Sequence, residues 1–215
     1  MPPTYDPAIF NVTDLSKAMQ IILTPEGSTT ERRWQVETPY LAGLIAQSIE
    51  ITPGMIVLDY GCGIGRMAKE LIERYHCSVV GVDISPSMRA LAVTYVKSDR
   101  FFACPPVMLD TLIERGVRFD AAISIWVLQH CLRPADDIRS LRRALKPDAG
   151  LFIVNNDNRA IPVTEGRWAN DGINIKQMLS EEFTLQREGR LPADVTTESL
   201  SQLTFWAGFL NRPLG

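Results

Sequence analysis

Apolar residues along this chain follow two alternating rhythms. Short continuous apolar runs at Met55–Asp59, Val79–Asp83, Phe119–Trp126 and Leu151–Val154 read as strands buried on both faces. Between them the spacing turns helical. Met67, Leu71 and Ile72 share one face of residues 66–75, and Met88, Leu91, Ala92 and Tyr95 share one face after Ser85-Pro86-Ser87, where Pro86 fits the first helical position. Arg100–Ala103 adds a weaker strand, Val107–Arg115 a short helix, and Asp136–Leu145 a further helix. Strands alternating with helices predict a parallel sheet covered on both sides.

The flanks are less regular. Residues 1–30 read as an irregular lead with one helix around Met19-Gln20-Ile21-Ile22-Leu23. A second helix is predicted from Thr29 or Thr30, with Glu31–Thr38 as its first part, an interruption at Pro39, and Leu41, Leu44, Ile45 and Ile49 on one face up to Pro53-Gly54. Pro147-Asp148-Ala149-Gly150 predicts a turn into the fifth strand. Beyond it, Ile175–Leu179 reads as helix, Phe183–Arg187 as extended chain and Leu203–Leu210 as the last strand, with no internal repeat.

Composition narrows the class. With 215 residues, 46% hydrophobic and 22% charged, the chain has ordinary globular content for one domain. Its 22 basic against 25 acidic residues give a net charge of −3, without the basic surplus expected of a nucleic-acid binder. Cys62, Cys77, Cys104 and Cys131 lie far apart in apolar segments, so no metal site is expected and the thiols read as buried small hydrophobes. No stretch is apolar for long enough to span a bilayer, and the first residues lack a targeting pattern, so no membrane association and a cytoplasmic location are expected.

The most informative segment is Val57-Leu58-Asp59-Tyr60-Gly61-Cys62-Gly63-Ile64-Gly65-Arg66, a strand running into alternating glycines with a carboxylate just ahead. Glycines let the backbone approach a nucleotide, but an acid here would repel the pyrophosphate of a dinucleotide. Asp59 calls for a cation instead. A ligand with an adenosine end and a cationic amino-acid end fits, and S-adenosylmethionine is such a molecule. Asp83, at the end of the second strand, is placed to accept from the vicinal hydroxyls of a ribose, with Ile84 against the adenine. Each piece has a bland counterpart, a tight turn for the glycines and a helix lead-in for Asp83; their agreement at successive strand ends favours the nucleotide.

Four pieces resemble the class I S-adenosylmethionine-dependent methyltransferases, in particular those acting on small molecules: Val57–Gly65, Val80-Gly81-Val82-Asp83-Ile84-Ser85, Phe119-Asp120-Ala121-Ala122 through Val127-Leu128-Gln129-His130, and Leu145-Lys146-Pro147. They cover roughly residues 41–155. The resemblance implies an α/β, Rossmann-like, doubly wound and mostly parallel seven-stranded sheet with an antiparallel final strand. An N-terminal cap over residues 1–40 and a methyltransferase domain over residues 41–215 are expected. By the same resemblance Gly61 and Gly63 approach the methionine part, Asp59 orients its ammonium and Asp83 takes the ribose, in a contact set of Asp59, Gly61, Cys62, Gly63, Gly65, Asp83, Ile84, Met88, Ile125 and Trp126. Two departures stand out: no acid follows the third strand in Ala103-Cys104-Pro105-Pro106, and the turn Lys146-Pro147-Asp148-Ala149-Gly150 is one residue longer than the usual Lys-Pro-Gly-Gly.

Methyl transfer from a sulfonium is an in-line displacement, so the protein aligns the partners and, for a hydroxyl acceptor, removes a proton. His76 falls at the far end of the sheet, leaving His130 after the fourth strand as the candidate base, although a histidine at this place is more often a packing and hydrogen-bonding residue. Trp34 and the polar run Asn155-Asn156-Asp157-Asn158-Arg159 are candidates for acceptor contact, with Asn155, Asn156 and Arg159 foremost; five polar residues in a row are expected to face water or ligand. Arg66 reads as a partner of the methionine carboxylate or of Glu70. Three functions remain open on these residues: methyl transfer to a small-molecule acceptor, cofactor binding without catalysis, and nicotinamide-dependent oxidoreduction.

Overall fold

The computed structural model describes residues 4–20 and 28–212. Helix α1 (Leu15–Gln20) precedes α2 (Thr30–Arg32), which passes through a π-turn, Arg33–Glu37, into α3 (Thr38–Ser48). The interruption predicted at Pro39 takes this form: proline lacks the N–H that would close the preceding turn, and the helix widens just before it without breaking. Ile21–Leu23 of the predicted first helix lie outside the described residues.

The alternation then runs β1 (Ile56–Tyr60), α4 (Arg66–Tyr75), β2 (Ser78–Val82), α5 (Pro86–Val96), β3 (Phe101–Cys104), α6 (Pro106–Glu114), β4 (Phe119–Ile125), α7 (Pro134–Ala144) and β5 (Leu145–Asn156). A hairpin of β6 (Ile161–Val163) and β7 (Arg167–Ala169) follows, then α8 (Ile175–Glu182), β8 (Thr184–Gly189), α9 (Glu198–Leu203) and β9 (Thr204–Leu210). Seven strands form one sheet in the order β3-β2-β1-β4-β5-β9-β8. The strands β1 to β5 are parallel, and β9 is antiparallel to both β5 and β8.

Both faces of the sheet are covered, as a parallel sheet requires. Along β1 the two-residue period sends Val57 to the side packed by Leu41, Ile45, Met67 and Leu71, and Leu58 to the side packed by Ile138, Leu141 and Leu179. The order reverses between β1 and β4, and the crevice outside their carboxyl ends is where ligands of such sheets bind.

The turn predicted at Pro147–Gly150 is instead a bulge within β5: pairing with β4 jumps from Phe119 opposite Leu145 to Ala121 opposite Gly150. The β6–β7 hairpin and α9 have no counterpart in the predicted elements. Each is short, with too few residues to repeat a hydrophobic pattern. The hairpin anchors the N-terminal lead: Tyr5 bridges to Val163, Asp6 N–H donates to Pro162 O at 2.9 Å, and Thr164 N–H donates to Thr4 O at 2.9 Å.

Candidate active site

The loop between β1 and α4 is tied across the end of β2 by main-chain bonds: Gly61 and Cys62 N–H both donate to Val82 O, at 2.7 and 3.0 Å. Gly61 and Gly63 hold φ of +80° and +53°, a region costly for other residues. A side chain on Gly63 would point into open space, whereas one on Gly61 would overlap Val127. Gly65 is different. It caps α4 and packs 2.5 Å, measured from an added Cβ, against Val96, so it serves the contact of α4 with α5 and does not border the cavity.

Asp83 closes the other side. Its Oδ2 accepts from Gly63 N–H and its Oδ1 from Ser85 N–H, both at 2.8 Å, and each oxygen keeps a lone pair for a further donor. Burial raises its carboxyl above the usual range against the pull of those two amides and of Arg89.

A cavity of about 880 Å³ opens between these strand ends. Gly61, Gly63, Asp83, Ile84, Met88, Ile125 and Trp126 line one half. A smaller pocket of about 50 Å³ next to it is bounded by Asp59, Cys62, Arg66 and the same glycines. Asp59 is 3% exposed and its Oδ2 has no hydrogen-bond partner. Burial first, then the Asp83 charge, push its carboxyl up to about 7, with Arg66 and the Ala68 amide opposing. A buried carboxylate oxygen without a partner is a costly group that a bound cation would satisfy.

The wall toward the N-terminus is a charged cluster. Glu37 is fully buried, with Arg33 Nε at 3.4 Å, Arg66 Nη2 at 3.3 Å and Trp126 Nε1 at 3.3 Å. The Arg33 guanidinium stacks over the Trp126 ring at 5.5 Å and itself borders the large cavity. Arg66 thus pairs with Glu37; Glu70 pairs with Arg74 one turn on. Trp126 holds φ of +63°, a strained conformation for a bulky residue that typically costs about 1–3 kcal/mol. Trp34 stands outside both cavities: its Nε1 donates to Tyr95 O–H at 2.7 Å and its ring packs with Ile64 and Met88.

The other half of the cavity is mostly apolar and aromatic, lined by Tyr5, Ile9, Phe10, His130, Leu132, Trp168, Leu200 and Leu203, with Asp137 and Asn156 among them. The rings of Phe10, His130 and Trp168 lie 5.1–6.4 Å from one another. His130 Nδ1 donates to Ala160 O at 2.6 Å, and burial lowers its pKa below the ordinary value. Asn155 and Arg159 reverse the expectation that the polar run faces water or ligand. Asn155 is fully buried and bonded to Gln129 N–H and Asn156 O; Arg159, 3% exposed, donates to Leu128 O and Cys131 O and pairs with Asp171. The irregular backbone after β4 has carbonyls and amides that no strand neighbour satisfies, and these side chains satisfy them. Of that run, Asn156 borders the cavity.

Sequence reasoning missed Glu37, Tyr60 and Asp137. The signals were faint: the four-residue spacing of Arg33 and Glu37, and an acid in the first turn of α7. Tyr60 O–H donates to Asp137 Oδ1 across the cavity floor.

Residues 30–208 match a family model described as a methyltransferase domain. The chain belongs to the class I S-adenosylmethionine-dependent methyltransferases. This methyltransferase is 28% identical over 148 residues to the tRNA U34 carboxymethyltransferase of Cellvibrio japonicus, covering 64% of the chain and 42% of the relative. It is 30% identical over 115 residues to the ubiquinone biosynthesis O-methyltransferase of Bradyrhizobium diazoefficiens, covering 53% and 44%. The chain spans less than half the length of these relatives. Among solved structures, the N-methyltransferase NodS from Bradyrhizobium japonicum, in complex with S-adenosyl-L-homocysteine, superposes with a TM-score of 0.62 over 94% of this chain and all of that one, at 14% identity, a likeness of fold. One relative is named for a tRNA and another for ubiquinone biosynthesis, so membership fixes the cofactor and not the acceptor. No helix among the described residues is long and apolar enough to cross a membrane.

Proposed function

We propose that this methyltransferase acts on a small molecule enclosed in the apolar half of the 880 Å³ cavity, with S-adenosylmethionine in the half below the glycine loop. The observation that carries the reading is the unpartnered Asp59 oxygen beside Gly61 and Gly63, at one end of a cavity whose other end is apolar. Asp59 would hold the cofactor's ammonium, Arg33 its carboxylate and Asp83 its ribose hydroxyls, with Ile84, Met88 and Pro106 beside the adenine. Cys62, Ile125 and Trp126 would complete that wall.

When bound, S-adenosylmethionine supplies an electrophilic methyl group on a sulfonium. The protein's contribution is alignment, exclusion of water and, at His130, reception of a proton. His130 suits that role because its proton sits on Nδ1 and its Nε2 keeps a lone pair. Residues 1–40 serve as a cap: Tyr5, Ile9 and Phe10 contribute side chains to the acceptor half, although the stretch from α2 to α3 crosses position 40 without a break. A small acceptor is favoured over a polynucleotide by the apolar lining and by a net charge of −3.

Titration calorimetry with S-adenosylhomocysteine, followed by product detection with hydroxyl, amine and carboxyl acceptors and with bulk tRNA, tests this. Binding in the micromolar range with turnover of a small acceptor is expected. Turnover of tRNA alone would overturn the acceptor assignment.

A further inference from the structure

The polar groups of the acceptor half are tied into one directional chain of hydrogen bonds. Asn156 N–H donates to Gln129 Oε1 at 3.0 Å, which turns the Gln129 amide nitrogen toward His130 Nε2 at 3.3 Å. A carbonyl oxygen only accepts, so the contact of His130 Nδ1 with Ala160 O places the ring proton on Nδ1 and a lone pair on Nε2. Gln129 N–H in turn donates to Asn155 Oδ1 at 3.0 Å, and Asn155 Nδ2 donates to Asn156 O at 2.9 Å. Gln129 and Asn155 are thereby consumed within the wall, at 1% and 0% exposure.

What the chain leaves over is acceptors. Asn156 Oδ1 is buried without a partner, and His130 Nε2 receives only the long contact from Gln129. Two of the donors nearby are engaged, Tyr60 O–H on Asp137 and Arg133 on Asp136 at 3.4 Å. Asp137 adds negative charge to the same wall. A carboxylate or phosphate placed here would meet lone pairs and a like charge, whereas an O–H would meet Asn156 Oδ1, which is otherwise unsatisfied.

We infer that the acceptor is an uncharged aromatic hydroxyl, its O–H donating to Asn156 Oδ1 beside His130 Nε2 and its ring lying against Phe10, His130 and Trp168. The inference rests on the reading under Proposed function and narrows it to a substrate class. Gln129 is a positioning residue in it, since its amide meets His130 Nε2 and its Oε1 holds the main chain of Asn156.

The test is binding to enzyme saturated with S-adenosylhomocysteine, by calorimetry, of three probes that share one body: 2-naphthol, 2-naphthoate and naphthalene. 2-Naphthol is expected to bind at least about tenfold tighter than either of the others. Asn156→Leu should abolish that preference while affinity for naphthalene and for S-adenosylhomocysteine stays within about twofold; Asn156→Ser serves if the leucine variant does not fold. Naphthoate binding as tightly as naphthol, or no probe binding to a protein that does bind S-adenosylhomocysteine, overturns the inference alone. Failure to bind S-adenosylhomocysteine overturns the cofactor placement and this inference with it.

Discussion

Trp126 Nε1 donates to Glu37 Oε1 at 3.3 Å, joining the end of β4 to the π-turn across 89 positions of chain. The same carboxylate holds Arg33 and Arg66, so one buried acid fixes two cations and a strained tryptophan on the cavity wall. Glu37→Ala leaves both guanidiniums without their shared charge and is expected to cost about 3–5 kcal/mol of stability. Glu37→Gln keeps an oxygen for Trp126 and should fold, yet bind S-adenosylhomocysteine more weakly than wild type. Chemical denaturation and calorimetry check the pair; a glutamine variant with unchanged affinity would confine Glu37 to a packing role.

Asp59 gives a pH signature. Its carboxyl, pushed up to about 7 from 3.8, favours the protonated form in the folded protein. The stability associated with that proton is present below about pH 4 and is lost as pH rises toward and through 7, so the ligand-free protein should weaken across that window. A ligand ammonium needs the ionised form. S-Adenosylhomocysteine affinity should therefore rise as pH rises toward 7, by up to about tenfold per unit. Asp59→Asn should flatten both dependences, raise the melting temperature of the free protein at pH 8, and lower affinity. A variant that retains the pH slope removes Asp59 from the ammonium site.

The glycine loop offers a contrast between neighbours. Alanine at Gly61 would overlap the Val127 side chain, while alanine at Gly63 meets open space, and both residues hold positive φ. Gly61→Ala should cost stability by more than the roughly 1–2 kcal/mol of left-handed backbone strain alone. Gly63→Ala should cost about that strain and still abolish tight S-adenosylhomocysteine binding, because the added methyl occupies ligand space. Melting curves with and without ligand separate the two; equal ligand-induced shifts in wild type and Gly63→Ala would make that glycine a turn residue only.

His130→Gln preserves size and hydrogen bonding but not basicity. Turnover of a hydroxyl acceptor should fall by about 10²-fold at saturating cofactor, with S-adenosylhomocysteine affinity unchanged. Since burial lowers the His130 pKa, the acid limb of the wild-type rate profile should lie below the ordinary histidine value of about 6.5 and vanish in the variant. A rate within a few-fold of wild type would leave catalysis to alignment.

How much of this was legible from residues alone follows from the range of the forces involved. The parallel sheet and the positions of Asp59, Gly61, Gly63 and Asp83 are local matters: a strand end, a glycine loop and the next strand end, each recorded within a few residues. The final antiparallel strand followed from the family resemblance. The fate of the polar groups did not follow from either. Asn155 and Arg159 look solvated in a polar run and are buried because main-chain groups of residues 128–131 need them. Glu37 looks like one helical acid among several until Arg33, Arg66 and Trp126 arrive from three elements. Burial of charge is decided by partners distant in sequence, and no local pattern records it.

The strap formed by residues 4–10 is fastened to the β6–β7 hairpin by two main-chain bonds, and Tyr5, Ile9, Phe10 and Trp168 hang from those two pieces into the half proposed for the acceptor. Main-chain pairing is indifferent to side-chain identity. On the proposed placement of acceptor and cofactor, exchanging a few strap side chains would redraw the substrate chamber and leave the cofactor apparatus intact, which marks residues 5, 9 and 10 as the place to begin in redirecting this enzyme to new acceptors.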